Sequence, residues 1–393
     1  MRLAYTAEQE ALKQELRAYF ERLIPPEVRR ELGPNIGEHF GPEFRRLVHQ
    51  MGSDGWLGIG WPVEYGGQGR GPIEQYIFFD EARRAGAPMP VVTLNTVGPT
   101  LMDFGSEDQK RRFLPAILGG EVHFAIGYTE PGAGTDLASL TTRAVRDGDG
   151  WVINGQKVFT TGAHDADFIW LAARTDPDAP KHRGITIFIV DTTTPGFKWT
   201  PIHTLDDGLT NATYFEDVRV GDDAVVGGIN EGWRLITHQL NHERVALASP
   251  GKAEDVFERT LAWARETRTV EGRRVIDVPW VQLALARVRM RLEGVKLLNW
   301  RMAWGLAQGE LSPADASAAK VYGTETFPEV YRALMEVTGA AGALREGTPG
   351  ALFDGRLEHH YRAAYVLTFG GGVNEVMRDI IATTGLGLPR SRA

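Results

Sequence analysis

The sequence predicts an α+β protein with three domains. These are an N-terminal helical domain (1–121), a central antiparallel β-barrel or sandwich (122–232) and a C-terminal four-helix bundle (233–393). Two observations carry this. Apolar residues recur at helical spacing at both ends of the chain, and short β-branched and aromatic runs separated by turn dipeptides fill the middle. A length of 393 residues fits more than one core.

In the first domain, Thr6 followed by Gln9 is a capping-box pattern, and Leu12, Leu16, Tyr19, Phe20 and Leu23 share one helical face until Pro25-Pro26 stops it. Helices are expected over 42–51 and 73–84, joined by the Gly- and Trp-rich GWLGIGWPVEYGGQGRG, and Ser106 with Gln109 opens another. The middle holds HFAIGY, GWVI, KVFTT, DFIWLAA, GITIFIV and NATYFEDV, with Asp147-Gly148 and Asn154-Gly155 read as turns between them. No helix-length apolar period interrupts these runs, so an antiparallel sheet fits better than a βαβ one. Helical spacing then returns over 233–249, 253–266, 280–308, 313–339 and 374–384, with Pro250-Gly251 expected to break the first. Leu283, Leu285, Val288, Leu292, Val295, Leu298 and Met302 are expected on one buried face.

Composition excludes several function classes. Lys plus Arg is 43 against 51 Asp plus Glu, a net charge of −8, and no basic run occurs, which argues against nucleic acid. There is no Cys, which removes thiolate catalysis, disulfides and Cys-held metals, and fits a cytoplasmic location. The N-terminus has no signal-peptide pattern, and the longest apolar run, 185–190, is far too short to span a membrane. Neither a Rossmann nor a P-loop glycine pattern occurs, nor H-E-x-x-H or G-x-S-x-G, and the ten His are scattered, so no metal site is expected.

Two segments carry chemistry. YTEPGAGTD, Tyr128–Asp136, follows a strand. Its Pro131, Gly132 and Gly134 make a tight turn where a ligand can approach the backbone, and Thr129 and Thr135 add hydroxyls. NGQKVFTTGA, 154–163, places Phe159 beside Thr160 and Thr161. A flat heteroaromatic ligand calls for stacking on its plane and hydrogen bonds at its edge. An ordinary rim turn and an ordinary strand give the same local patterns.

Together the two segments resemble the TEPGAGSD and NGxKxWIT motifs of the acyl-CoA dehydrogenase family. The likeness extends to the entry segment GWLGIGWPVEYGGQG and the final FGGGVNEVMRDIIATTGLGLPR. It is nearest to the actinobacterial subgroup that acts on steroid side-chain acyl-CoA thioesters. The resemblance implies FAD as cofactor. Ile126, Tyr128 and Thr129 would line the flavin edge and Gly134 and Thr135 the pyrophosphate or CoA arm. Phe159 would stack where the family has Trp, Thr160 and Thr161 would lie beside the ring, and Arg268 would reach the FAD tail bound by a neighbouring subunit.

The family's reaction needs a carboxylate at the substrate α-carbon. Gly371 falls where many members carry that Glu, so this position is vacant. In Leu240-Asn241-His242-Glu243-Arg244 the sequence matches a subgroup whose base lies on an earlier helix. The resemblance thus implies Glu243 as base, with its backbone amide helping to polarise the thioester carbonyl, and Arg244 at the substrate end. It also implies a widened acyl pocket at Gly371. An alternative for Gly370-Gly371-Gly372 is a helix start with Asn374 as N-cap.

Two departures bear on assembly. Glu271 stands for Phe in the R-x-x-F-G segment, and Glu336 stands for Gln near Gly339, so two carboxylates fall near an expected pyrophosphate. The subgroup assembles as α2β2 tetramers of two unlike chains. This chain would be the base-carrying one, with electron-transfer flavoprotein or a similar acceptor as redox partner; a homo-tetramer is the alternative. Two rival functions share the fold: an acyl-CoA oxidase or flavin monooxygenase, and a non-catalytic subunit.

Overall fold

The computed structural model describes residues 4–32, 41–247 and 249–389, with the side chains of 240–247 outside that set. Two compact units are present. The first comprises Met1–Gly37, Arg70–Pro88 and Arg244–Ala393, and the second Glu38–Gly69 and Met89–Glu243.

The first unit is helical. It holds α1 (Ala7–Leu23), α2 (Pro26–Leu32), α4 (Pro72–Ala85), α8 (Gly251–Glu266), α9 (Pro279–Gln308), α10 (Pro313–Thr338), α11 (Arg356–Ala364) and α12 (Asn374–Ile380). The Thr6/Gln9 capping box forms, with Gln9 N donating to Thr6 Oγ1 at 3.2 Å and Thr6 N to Gln9 Oε1 at 3.1 Å. One core joins Val281, Leu285, Val288, Leu292 and Val295 of α9 to Phe327, Val330, Tyr331 and Leu334 of α10. Leu283 is not part of it. It lies two residues before Leu285, about 200° around the helix, and is 51% exposed. Leu283, Met290, Leu297 and Trp304 instead form an outward row at seven-residue spacing, so α9 carries two apolar faces.

The second unit is built on a mixed sheet with helices α3 (Pro42–Ser53), α5 (Gly98–Phe104) and α6 (Glu107–Leu118) and with α7 (Gly232–Leu247) as far as Glu243. Its strands are β1 (Phe124–Gly127), β2 (Arg143–Asp147), β3 (Gly150–Lys157), β4 (Phe168–Arg174), β5 (Ile185–Asp191), β6 (Phe197–His203), β7 (Leu209–Gly221) and β8 (Val225–Val226). The order is β6-β7-β3-β2-β4-β5-β8, with β1 on β4. The neighbours β6-β7, β7-β3, β3-β2, β4-β5 and β5-β8 pair antiparallel as expected, while β1 and β2 meet β4 in parallel. The Ser106/Gln109 capping box also forms, and Gln109 Nε2 reaches on to the carbonyls of Asp223 and Val225, each at 2.8 Å.

Asp147-Gly148 does turn the β2–β3 hairpin, with Gly148 at φ +62°. Asn154-Gly155 does not turn the chain. It lies inside β3 at a shift of register against β7, a bulge. Glycine is required there because a Cβ at 155 would lie 2.5 Å from Thr142 Oγ1. Asn154 fixes the bulge by exchanging bonds with Asp217, Nδ2 to Oδ1 at 2.9 Å and Asp217 N to Asn154 Oδ1 at 3.0 Å.

Candidate active site

The two motif segments meet in the second unit. The glycine turn closes between Glu130 and Ala133, with Glu130 N donating to Ala133 O at 3.0 Å and Ala133 N to Glu130 O at 3.1 Å. Val158 N donates to Thr129 O at 2.8 Å, so the end of β3 runs beside the segment that follows β1. Lys157 Nζ donates to Glu130 Oε1 at 2.8 Å and to Tyr128 O at 3.1 Å. Glu130 also accepts from Thr141 N, Thr141 Oγ1 and Thr142 N, at 2.7, 2.8 and 2.8 Å. Burial alone would raise the Glu130 carboxyl, but Lys157 and these donors hold it down to about 2. Burial pulls Lys157 down to about 8 against Glu130's charge. Both are therefore ionised at pH 7. Sequence reasoning passed over this pair, although Glu130 and Lys157 are the charged residues of the two motif cores.

Upon this support the candidate residues divide by direction. Thr161 is exposed and its Oγ1 lies 3.0 Å from Thr210 Oγ1. Thr160 is buried, with Oγ1 3.3 Å from Thr213 Oγ1, so its hydroxyl belongs to the interior. Asn211 braces the loop by donating from Nδ2 to Thr160 O at 3.1 Å and accepting at its backbone carbonyl from Thr160 N at 2.9 Å. Ile126 and Thr129 are half-buried, and Gly134 and Thr135 are exposed, with open space where a Cβ at Gly134 would stand. The Tyr128 hydroxyl donates to Gln239 Oε1 of α7 and accepts from Trp170 Nε1 at 3.0 Å, so it faces protein groups.

Phe159 is the outlier. It is not on a strand, since β3 ends at Lys157. Its φ is +58°, a region that non-glycine residues occupy at a cost of order 1–3 kcal/mol. Its ring is nevertheless 62% exposed, so folding of this chain does not offset the strain through burial. Together with Thr129, Thr161 and the open glycine turn, this is an aromatic face with hydroxyls beside it, which fits a flat heteroaromatic ring such as flavin.

The remaining candidates lie elsewhere. Glu243 and Arg244 occupy α7, but their side chains lie outside the described residues. Because position 243 is inside α7, the helical ladder takes its N–H, and that amide is not available to polarise a thioester carbonyl. In the first unit, Arg268 is exposed and donates from Nη1 to Gly272 O at 2.7 Å. Glu336 pairs with Arg332 at 2.7 Å, which offsets its charge. Gly371 is exposed at φ +66°, followed by Gly372 at φ +100°. The loop is held by Lys320, whose Nζ donates to Gly372 O at 2.6 Å, Thr368 O at 3.3 Å and Asn374 Oδ1 at 2.6 Å. Asn374 is not the N-cap of α12. Val373 is, and the Asn374 side chain turns inward to Lys320 and Thr324.

Comparison with known proteins agrees with this architecture. Family models match in chain order: acyl-CoA dehydrogenase N-terminal domain over 6–121, middle domain over 125–218 and C-terminal domain over 230–386. The chain is 54% identical to acyl-CoA dehydrogenase FadE26 of Mycobacterium tuberculosis, covering 100% of both. The chain belongs to the acyl-CoA dehydrogenase family. As such it is an oxidoreductase acting on CH–CH groups. Among solved structures it resembles the Tcur3481-Tcur3483 steroid acyl-CoA dehydrogenase, at 55% identity and TM-score 0.95. It also resembles the ChsE4-ChsE5 complex of M. tuberculosis, at 54% identity and TM-score 0.94; both matches cover 100% of either chain. No described helix of this acyl-CoA dehydrogenase is long and apolar enough to cross a membrane, and the described residues hold no His/Cys/Asp/Glu cluster suited to a metal.

Proposed function

We propose that this chain is an FAD-dependent dehydrogenase that introduces an α,β double bond into a bulky acyl-CoA thioester of the steroid side-chain class. The observation that carries the reading is Phe159, an exposed aromatic ring held at a strained φ beside Thr129 and Thr161. FAD, when bound, supplies the hydride acceptor for the β-hydrogen. The chain's own residues hold and polarise. Phe159 stacks on the ring, Thr129 and Thr161 bond its edge, Ile126 lines it, and the Glu130–Lys157 pair keeps this platform rigid. Thr135 lies toward the pyrophosphate or CoA arm, and Arg268 toward the FAD tail of a neighbouring subunit. Glu243 removes the α-proton, a step that a positioned base accelerates about 10²- to 10⁴-fold. Arg244 anchors the substrate end. The absence of side chains over 370–372 leaves width for a ring-bearing acyl group.

The same reading includes assembly with a homologous but unlike chain as an α2β2 tetramer. Support comes from the second apolar face of α9 and its charge. Arg287, Arg289, Arg291, Lys296 and Arg301 outnumber Glu293 on this helix, which disfavours packing against a copy of itself. The solved relatives named as pairs of chains point the same way. Electron-transfer flavoprotein is the proposed acceptor.

The test is the absorbance spectrum of the assembled protein. Flavin bands should bleach on adding a saturated steroid side-chain CoA thioester and recover slowly in air without an acceptor. The Glu243→Gln variant should keep the bands and lose the bleaching. Bleaching that survives in Glu243→Gln would remove the base assignment, and fast recovery in air would identify an oxidase.

A further inference from the structure

Residues 369–373, Phe-Gly-Gly-Gly-Val, form the loop between the short helical turn Tyr365–Thr368 and α12. Gly371 and Gly372 lie at φ +66° and +100°, and glycine has no side chain with which to hold that shape. Phe369 does not supply the hold, since it is 59% exposed. Lys320 of α10 does. It is 5% exposed, and its three ammonium protons meet three acceptors. These are Thr368 O at 3.3 Å before the loop, Gly372 O at 2.6 Å within it and Asn374 Oδ1 at 2.6 Å after it. Asn374 in turn donates from Nδ2 to Thr324 Oγ1 at 3.1 Å and to Glu325 Oε1 at 3.0 Å. Lys320 can only donate and ionised Glu325 can only accept, so the orientation of the Asn374 carboxamide between them is settled. All these residues belong to the first unit.

The arrangement is a costly one. The direct partners of the ammonium are three neutral oxygens, and Glu375 and Glu325 attract it only from farther off. Burial pulls it down to about 8, so it still carries its charge at pH 7. An apolar side chain of the same length would avoid the desolvation of that charge, and the loop is what the charge holds. We infer that Lys320 is a positioning residue for the acyl end of the substrate: by clamping the 369–373 loop on both sides, it keeps the glycine gap open for a ring-bearing acyl group. The inference rests on the proposed place of 370–372 beside that group. Lys320 itself touches neither substrate nor cofactor. A straight acyl chain needs little width and a fused-ring one needs much, so loss of the clamp acts selectively on the bulky substrate. The width serves ground state and transition state alike, so its loss shows in KM rather than in kcat.

Two variants of the FAD-loaded, assembled enzyme test this, each assayed with a saturated steroid side-chain CoA thioester and with butanoyl-CoA. Lys320→Met keeps the length and removes all three donors. KM for the steroid thioester should rise about 10-fold or more, with its kcat, and kcat/KM for butanoyl-CoA, each changed less than about threefold. Hydrogen exchange should quicken at the amides of 369–374 while the middle of α10 keeps the parental rates. Asn374→Leu leaves the ammonium in place and removes one of its three acceptors. It should raise KM for the steroid thioester by a smaller factor, about 3- to 10-fold, and it decides the matter if Lys320→Met does not assemble. If the parent prefers the steroid thioester and both variants keep that preference, Lys320 merely packs, and the inference is overturned while the substrate reading stands. Equal losses for the two thioesters, or unchanged exchange over 369–374 in Lys320→Met, overturn it as well. If the parent shows no preference for the steroid thioester, the substrate reading fails first.

Discussion

Lys157 and Glu130 form a 2.8 Å ion pair with side chains 0% and 4% exposed, joining the end of β3 to the turn that follows β1. The pair is what makes two separate motifs one platform. Breaking a buried pair by removing one partner leaves an uncompensated charge, at about 3–5 kcal/mol. Lys157→Met should therefore destabilise by that order and lower the FAD content. Adding Glu130→Gln should restore part of the loss, since a carboxamide oxygen at that position can still accept from Thr141 and Thr142 without needing a cation. Denaturant melts of the two single variants and the double variant measure this. A double variant no better than the sum of the singles would show that the charges do not depend on each other.

On the proposed function, Phe159 trades stability for contact with the flavin ring. Phe159→Gly relieves the φ of +58° and removes a ring that the folded chain leaves exposed. Thermal stability of the FAD-free protein should not fall. FAD affinity should weaken about 2- to 10-fold, as expected from losing one stacked ring worth about 0.5–1.5 kcal/mol. Titration with FAD separates the two effects; an unchanged Kd would take Phe159 out of the cofactor site.

Asp80 makes the helical unit sensitive to pH. Its Oδ1 accepts from Ser249 Oγ at 2.6 Å and Gly251 N at 3.1 Å, and burial with Glu254 nearby pushes its carboxyl up to about 7. The folded state binds this proton more tightly than the unfolded state does. Stability from this group is thus complete below about pH 4 and is lost as pH rises toward 7, by on the order of 1.4 kcal/mol per pH unit across the window. Asp80→Asn retains an acceptor and carries no charge. It should match the parent Tm near pH 4 and exceed it at pH 8. Parallel Tm curves for the two proteins would refute the buried-carboxyl account.

On the proposed assembly, the outer face of α9 is the contact with the unlike chain. Met290 and Leu297 are 66% and 42% exposed, so replacing both with Lys should leave the circular dichroism spectrum unchanged. The mass of the complex by light scattering should drop below that of a tetramer. Retention of full mass would place the interface elsewhere.

Much of the fold is local and therefore legible in the chain. The capping boxes at Thr6 and Ser106, the helix spans around α8, α9 and α10, and the hairpin at Asp147-Gly148 follow from side-chain period and turn chemistry acting over a few residues. The candidate loop sequences were legible too, through their resemblance to a family. What the chain does not state is how distant segments use the same local signal. Asn154-Gly155 reads as a turn, but Thr142 packs against it and makes it a bulge. Leu283 has the hydrophobicity of a core residue, but the core of its helix is already complete on the opposite side. Glu130, Lys157, Tyr128, Trp170 and Gln239 are ordinary letters in sequence, and they become a connected network only when β1, β3, β4 and α7 pack. The physical reason is range: helical period and turn preference act between near neighbours, whereas burial and the pairing of charges are properties of the packed interior.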